Sequence, residues 1–171
     1  HDWQVFGVDQ EFFYGYPMLL EGMYENLPEE KKTATKELYT AAQDSLRMHY
    51  QNDIDGTADL ALSIVQSKNI KRFLDVAASE EKNKEYIHAF EQSVSIYRLY
   101  AERKWFENNR TRITYMKSML RRGLENMDFD LSQDKLLIKM GGYHMSKGFS
   151  PLGLYEVGNT LNEIAEYYGN S

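Results

Sequence analysis

Two short apolar runs stand near the ends of the chain, and helical spacing fills the part between them. Residues 3–8 are β-branched and aromatic, and this run is followed by Asp9 and Glu11. Strand character returns at residues 135–140, in the run that leads into Gly141. Both runs have the length and composition of strands, so they predict β-strands near residues 3–8 and 135–140.

Apolar residues recur every three to four positions over most of residues 14–126, which predicts a helical body without a hairpin. We expect helices near residues 17–27, 28–51, 57–66, 69–78 and 80–107. Ser79 is the expected N-cap of the longest of these, and Asn108 and Asn109 are expected to join it to the next helix. That next helix has a stripe of apolar residues at helical spacing: Ile113, Met116, Leu120 and Leu124. Ser150 and Pro151 indicate the start of a last helix.

Two strands alone do not form a stable sheet in water. Either they pair on the helical body, or they belong to a larger sheet whose other strands lie outside this chain, which is the alternative we favour. The expected fold class is therefore α/β and predominantly helical, with a few strands from a larger sheet plus a helical bundle. Residues 1–171 are expected to be a single domain and a C-terminal fragment of a larger α/β protein.

Composition narrows the function classes. The chain has 171 residues, of which 42% are apolar, so a packed core is expected. The net charge of −6 and the lack of a basic cluster argue against nucleic acid as a partner, and no apolar run is long enough for membrane insertion. The absence of cysteine excludes disulfides and thiolate metal sites, and it leaves the compartment open between cytoplasmic and exported. The oligomeric state is not indicated.

Two acids follow the first predicted strand. Alternation along a strand sends the side chains of Asp9 and Glu11 to the same side, so they are candidates for paired carboxylates. If the two predicted strands are parallel neighbours, Asp9, Glu11 and His144 meet at one edge of the sheet. The alternative is that one of the acids only caps the following helix.

The segment after the second predicted strand is the richest in reactive groups. Gly141 and Gly142 allow a sharp turn or a close approach to a ligand. His144 is a candidate general base and Lys147 a candidate anion contact. The alternative is a glycine-rich loop in which His144 bonds to the backbone. The candidate substrate contacts in the segment are Tyr143, Ser146 and Lys147.

Metal sites are not indicated, and neither a metal nor another cofactor is expected. Asp53, Asp55 and Gly56 resemble part of a calcium loop, but Gln51 and Leu62 occupy positions where that loop needs acids. We therefore predict a turn that joins two helices at this segment. Neither His49 nor His88 has a second ligand four residues on, as a helical metal pair requires.

Two arginines stand near the expected start of a helix. Arg110 and Arg112 face the positive end of the dipole there, which is unfavourable. We therefore expect one of them to pair with a carboxylate, most simply with Asp9 or Glu11.

The order of these features resembles the C-terminal half of the erythromycin-esterase-like proteins, within the wider group of TraB and Tiki-type proteins. The chain has a strand ending at Asp9, then a helical stretch, then Arg112 with Met116 four residues on, and then a strand and a loop with His144. In that family the late strand runs into a His-Asn-small-His-Val-Ser pattern. His144 matches the second His of this pattern and Ser146 matches the Ser.

The chain departs from the family at several positions. Gly141 and Gly142 replace the first His and the Asn of the late pattern, and Ile113 and Met119 depart from the family's Arg-acid-x-x-Met-x-x-Asn helix. The family's catalytic residues of the N-terminal half have no counterpart here. We therefore expect little or no esterase turnover from this chain by itself.

The resemblance implies a hydrolase-related domain that acts on an ester or similar acyl bond of a small molecule. His144 would be the base, with Asp9 or Glu11 as the orienting acid and Arg112 as a substrate contact. The alternative is a non-catalytic helical module that binds a ligand or a protein through its tyrosine-rich surface, with His144 as a structural residue.

Overall fold

The structure is a computed structural model that describes residues 4–130 and 133–169. These residues divide into two compact units. The N-terminal unit comprises residues 10–104, and the C-terminal unit comprises the described residues of 1–9 and 105–171. Trp3, which belongs to the first predicted strand, lies outside the described residues.

Five helices make up the N-terminal unit, as the helical spacing predicted. They are α1 (Tyr16–Glu25), α2 (Glu29–Ile54), α3 (Leu60–Gln66), α4 (Lys68–Ala77) and α5 (Lys84–Ala101). Asp59 is the N-cap of α3 and accepts a hydrogen bond of 3.0 Å from the backbone N–H of Leu62. Asp53, Asp55 and Gly56 lie where α2 ends, and Gly56 has a φ of +66°, so this segment is a helix-ending turn.

The core of the N-terminal unit is formed by apolar residues from all five helices. Its fully buried members include Tyr16, Leu20, Met23, Ala42, Leu46, Phe73 and Ala77. Asn83 is also fully buried, and its side-chain amide donates to the carbonyls of Met23 and Ala77, each at 3.0 Å. This amide joins the ends of α1 and α4 at the start of α5.

The predicted long helix at residues 80–107 is wrong in its limits. Asn83 occupies the N-cap position of α5, whereas Ser79 donates to the carbonyl of Val76 and closes α4. The chain breaks at residues 102–104, where Arg103 adopts a φ of +58°. A left-handed residue cannot continue a right-handed helix, so the joint lies there and not at Asn108 and Asn109.

The C-terminal unit is built on α6 (Trp105–Asn126) and α7 (Val157–Tyr167), with a 3₁₀ turn at Gly142–Met145 between them. The last helix therefore begins at Val157 and not at Pro151. Ser150 and Pro151 lie in a loop that an isolated antiparallel bridge between Phe149 and Tyr155 closes. The apolar cluster of the unit centres on Met116, Leu120 and Val157.

The predicted α/β class is wrong, because the described residues contain no sheet and the fold is all-helical. Residues 4–8 and 135–140 are not helical, and alternate side chains of both segments pack on the apolar cluster of the C-terminal unit. These side chains are Phe6, Val8, Leu136, Ile138 and Met140. The alternation of buried and exposed side chains is therefore present in both segments. Both segments border a cavity of about 880 Å³, and they form no backbone hydrogen-bond ladder with each other. Burial of one face replaces strand pairing.

Within the described ranges, no helix is both long enough and apolar enough to cross a membrane.

Candidate functional site

His144 lies in the 3₁₀ turn Gly142–Met145, directly after the extended segment that packs on the apolar cluster. Its backbone N–H donates to the carbonyl of Gly141 at 3.0 Å, which closes the turn. The side chain is only 12% exposed. The imidazole is thus held in a largely buried position by the turn that carries it.

The acid at His144 is Glu156, whereas the sequence suggested Asp9 or Glu11. Nδ1 of His144 lies 3.0 Å from Oε2 of Glu156, and the Glu156 side chain has no solvent exposure. Oε1 of the same carboxylate accepts a hydrogen bond of 2.9 Å from the hydroxyl of Ser150. Both oxygens therefore have partners, as a buried carboxylate requires.

Hydrogen bonds within the loop 150–155 and from α6 fix the backbone next to Glu156. The backbone N–H of Ser150 donates to the carbonyl of Leu154 at 2.9 Å, and the Ser150 hydroxyl accepts from the N–H of Leu152 at 3.2 Å. Lys117 on α6 donates to the carbonyl of Tyr155 at 2.7 Å. Glu156 is also the residue before α7, where the helix dipole stabilises negative charge.

The turn that carries His144 rests directly on the first turn of α7. Gly158 is buried, and a Cβ added to it would lie 2.3 Å from the carbonyl carbon of Met145. Only a residue without a side chain permits this approach. The contact fixes the His144 turn relative to the helix that Glu156 precedes.

A second ion pair involves Asp9 and Arg112. Nε of Arg112 donates to Oδ1 of Asp9 at 2.9 Å, and the Arg112 amino group donates to Oδ2, so the pair is bidentate. The predicted pairing of a helix arginine with Asp9 is confirmed. The expected reason, an unfavourable dipole at a helix start, is wrong, because α6 begins at Trp105 and Arg112 lies two turns inside it.

The Asp9–Arg112 pair and the loop that precedes Glu156 (residues 150–155) contact different sides of α6. Arg112 binds Asp9, and Lys117 binds the carbonyl of Tyr155. Five residues along an α-helix correspond to a rotation of about 140° and a rise of about 7.5 Å. The sheet edge at which Asp9, Glu11 and His144 were predicted to meet is absent from the described residues, and the acid that contacts His144 is Glu156.

Glu11 belongs to the N-terminal unit, where its side chain is exposed and its backbone N–H donates to the hydroxyl of Ser93 at 2.8 Å. The remaining predicted residues lie beside His144 in the chain. Tyr143 is 62% exposed, Lys147 is exposed and Ser146 is half-buried. These three keep the accessibility that a substrate contact needs.

Sequence reasoning missed Glu156 and Gly158. A signal for them exists: Glu156 follows a loop with Ser150 and Pro151 and directly precedes the apolar and small residues Val157 and Gly158. An acid at the start of an apolar helix is a candidate for burial with a partner, and a nearby histidine is a suitable one.

No group of three or more histidines, aspartates and glutamates that could hold a metal ion occurs among residues 4–130 and 133–169. The His144 site consists of one imidazole, one carboxylate and one hydroxyl. Of these groups, the imidazole is the one that can both accept and donate a proton near neutral pH.

The chain matches no protein-family model, no curated protein and no solved structure. The resemblance to the erythromycin-esterase-like proteins therefore stays an expectation, and the proposals for function depend on the geometry of the His144 site.

Proposed function

We propose that the C-terminal unit contains a hydrolase-type site. In this site His144 acts as a general base that activates water to hydrolyse an ester or similar acyl bond of a small molecule. One observation carries this proposal: Nδ1 of His144 lies 3.0 Å from a fully buried carboxylate, that of Glu156. An imidazole oriented by a buried acid is the arrangement that general-base histidines use.

The direction of this hydrogen bond decides which nitrogen is reactive. We infer that Glu156 accepts this hydrogen bond and that Nδ1 donates it, because a carboxylate without a proton can only accept. In the neutral ring, Nε2 then bears the lone pair. Nε2 has no hydrogen-bond partner among the described residues, so it is the nitrogen that takes a proton from water.

The reaction that follows is hydrolysis. Nε2 accepts a proton from a water molecule as the water oxygen attacks the acyl carbon. The bond from that carbon to the leaving oxygen then breaks, and the imidazolium returns the proton to the leaving oxygen. The products are an acid and an alcohol, and His144 ends in its starting state. Glu156 stabilises the positive charge that the ring carries between the two proton transfers.

The residues around His144 are suited to binding a substrate and supply no second catalytic group. Tyr143 and Lys147 are exposed next to His144, and Lys147 is suited to an anionic group of the substrate. Arg112 is engaged by Asp9, so we assign it to positioning of residues 4–9 and not to substrate contact. Gly141 and Gly142 add no side-chain donors, and for this reason we expect slow turnover.

The experiment is a panel of chromogenic p-nitrophenyl esters and macrolactones, assayed with the wild type and with His144→Ala. We expect slow hydrolysis by the wild type and a fall to the buffer rate in H144A. The matched control is His88→Ala, which changes an exposed histidine of α5 in the other unit and should keep the wild-type rate. Equal rates in the wild type and H144A, or no turnover by the wild type on any member of the panel, would refute the proposal.

A non-catalytic helical binding module is the second candidate function. A separate observation favours it: the N-terminal unit contains an apolar groove, which lies in a different unit from His144. Binding there does not depend on hydrolysis at His144, and both functions can belong to one chain.

A further inference from the structure

An apolar groove lies between α3, α4 and α5 of the N-terminal unit and has a volume of about 330 Å³. This volume falls at the lower end of the range of about 300–1,000 Å³ for small-molecule sites. Its floor consists of side chains that are almost completely buried: Ile64, Ile70, Phe90 and Val94. The floor offers no hydrogen-bonding side chain, so it suits the apolar part of a ligand.

Two of the charged residues that line the groove lie on α5. Glu91 and Arg98 both line it, and they are seven residues apart on this helix, which is about 10 Å along the axis. Lys71 of α4 lines the groove as well. The groove therefore has an acidic residue toward one end and the guanidinium of Arg98 toward the other.

Arg98 has a donor that lacks an acceptor. Its Nε is shielded from solvent and makes no hydrogen bond among the described residues. The carboxylate oxygen of Glu102 that faces it is 3.8 Å away, which is beyond hydrogen-bond distance, and the other oxygen of Glu102 accepts from Lys104 at 2.7 Å. A buried donor without an acceptor is costly, and a ligand oxygen would satisfy it.

We propose that this groove binds a small amphiphile with a carboxylate head and a short unbranched apolar chain. The carboxylate accepts from the guanidinium of Arg98, whose planar fork matches two carboxylate oxygens. The chain lies along the apolar floor toward Glu91. This site belongs to the N-terminal unit and does not depend on the proposed function of His144.

Isothermal titration of the full chain with decanoate, below its micelle-forming concentration, tests the proposal. We expect saturable binding of decanoate, binding weaker by roughly tenfold for octanoate because two methylenes are lost, and weaker binding still for decanol and decyltrimethylammonium. Arg98→Gln should lower the affinity for decanoate about tenfold or more. Glu91→Gln should keep or raise it, because it removes the acid of the groove.

Two control variants separate the groove from general effects. Arg47→Gln removes an exposed arginine of α2 outside the groove and should bind decanoate as the wild type does. Ser95→Phe fills the groove and should abolish binding, while circular dichroism shows that its helices are retained.

The proposal is overturned if the wild type does not bind decanoate. Equal affinities for decanoate and decyltrimethylammonium, or an R98Q affinity within twofold of the wild type, overturn it as well. Each result would show that Arg98 does not recognise an anionic head in this groove.

Discussion

Oε2 of Glu156 lies 3.0 Å from Nδ1 of His144, and the Glu156 carboxylate is completely shielded from solvent. The two residues are separated by a loop in which Ser150 binds the other carboxylate oxygen. The 3₁₀ turn fixes the backbone of His144, and the hydroxyl of Ser150 binds Glu156, so the hydrogen bond between the two side chains orients the imidazole. The proposed role of His144 as a base depends on this relationship, and the first two predictions concern it.

Removal of the negative charge at Glu156 should impair catalysis more than folding. Glu156→Gln keeps the shape of the side chain but no longer stabilises the positive charge on the imidazole during proton transfer. We expect kcat/KM for the best ester of the panel to fall by about 10²-fold or more. Glu163→Gln changes an exposed glutamate of α7 and serves as the control. A kcat/KM for E156Q within threefold of the wild type would contradict the role of Glu156.

A methyl group at Gly158 should separate the His144 turn from α7. The added Cβ would lie 2.3–2.6 Å from backbone atoms of Met145, so the turn or the helix must move. We expect Gly158→Ala to lower the free energy of unfolding by about 2 kcal/mol and to reduce ester hydrolysis.

The matched control for this prediction is Gly142→Ala. It lies in the same 3₁₀ turn, and a Cβ added there meets no atom within 4 Å. Chemical denaturation should show a change below about 0.5 kcal/mol for G142A. Equal free energies of unfolding for G158A and G142A would show that the close contact between Gly158 and Met145 does not contribute to stability.

The bidentate pair of Asp9 and Arg112 should contribute more than an ordinary surface ion pair. Its side chains are 37% and 31% exposed, whereas those of the Asp44–Arg47 pair are 61% and 73% exposed. A double-mutant cycle with Asp9→Asn and Arg112→Gln should give a coupling energy of about 1 kcal/mol.

The same cycle on Asp44 and Arg47 should give about 0.3 kcal/mol, because exposed pairs are screened by solvent. Coupling energies that do not differ between the two pairs would contradict the importance of the bidentate geometry.

His49 should make the protein less stable in mild acid. Both ring nitrogens are shielded from solvent and lack hydrogen-bond partners among the described residues, and burial lowers the pKa of His49 below its usual value of 6.5. Below pH 6.5 the unfolded chain takes up a proton that the folded chain does not, so the free energy of unfolding falls as the pH falls.

Replacement of His49 by Leu removes this proton uptake. The stability advantage of His49→Leu over the wild type should therefore grow between pH 7 and pH 5, by at most about 1.4 kcal/mol per pH unit. His88→Gln, at an exposed histidine, is the control in urea denaturation at each pH. A pH-independent difference between H49L and the wild type would contradict the prediction.

The helical part of the fold could be predicted because apolar spacing is a local property. The turn at Gly56 and the pairing of Arg112 were also readable, since each depends on a few chemical features. The break at Arg103 was not, because no glycine or proline marks it and an arginine rarely adopts the left-handed conformation found there.

The strands were mispredicted for a related reason. Alternation at residues 135–140 reports that one face is buried, but it does not report whether the backbone pairs with another strand. Leu136 and Ile138 are partly buried against the apolar cluster of the C-terminal unit instead. His144 was found from its glycine-rich context, whereas Glu156 was missed because the bend between them cannot be read from spacing alone.

The protonation pattern of the His144 ring tests the central claim most directly. Long-range proton–nitrogen NMR correlations on ¹⁵N-histidine-labelled protein distinguish the two neutral tautomers, and the His144→Gln variant assigns the signals. We expect His144 to carry its proton on Nδ1, toward Glu156, with Nε2 unprotonated. A neutral ring protonated on Nε2 would mean that Nδ1 accepts a hydrogen bond from a protonated Glu156, and His144 would then have no free lone pair to act as the base.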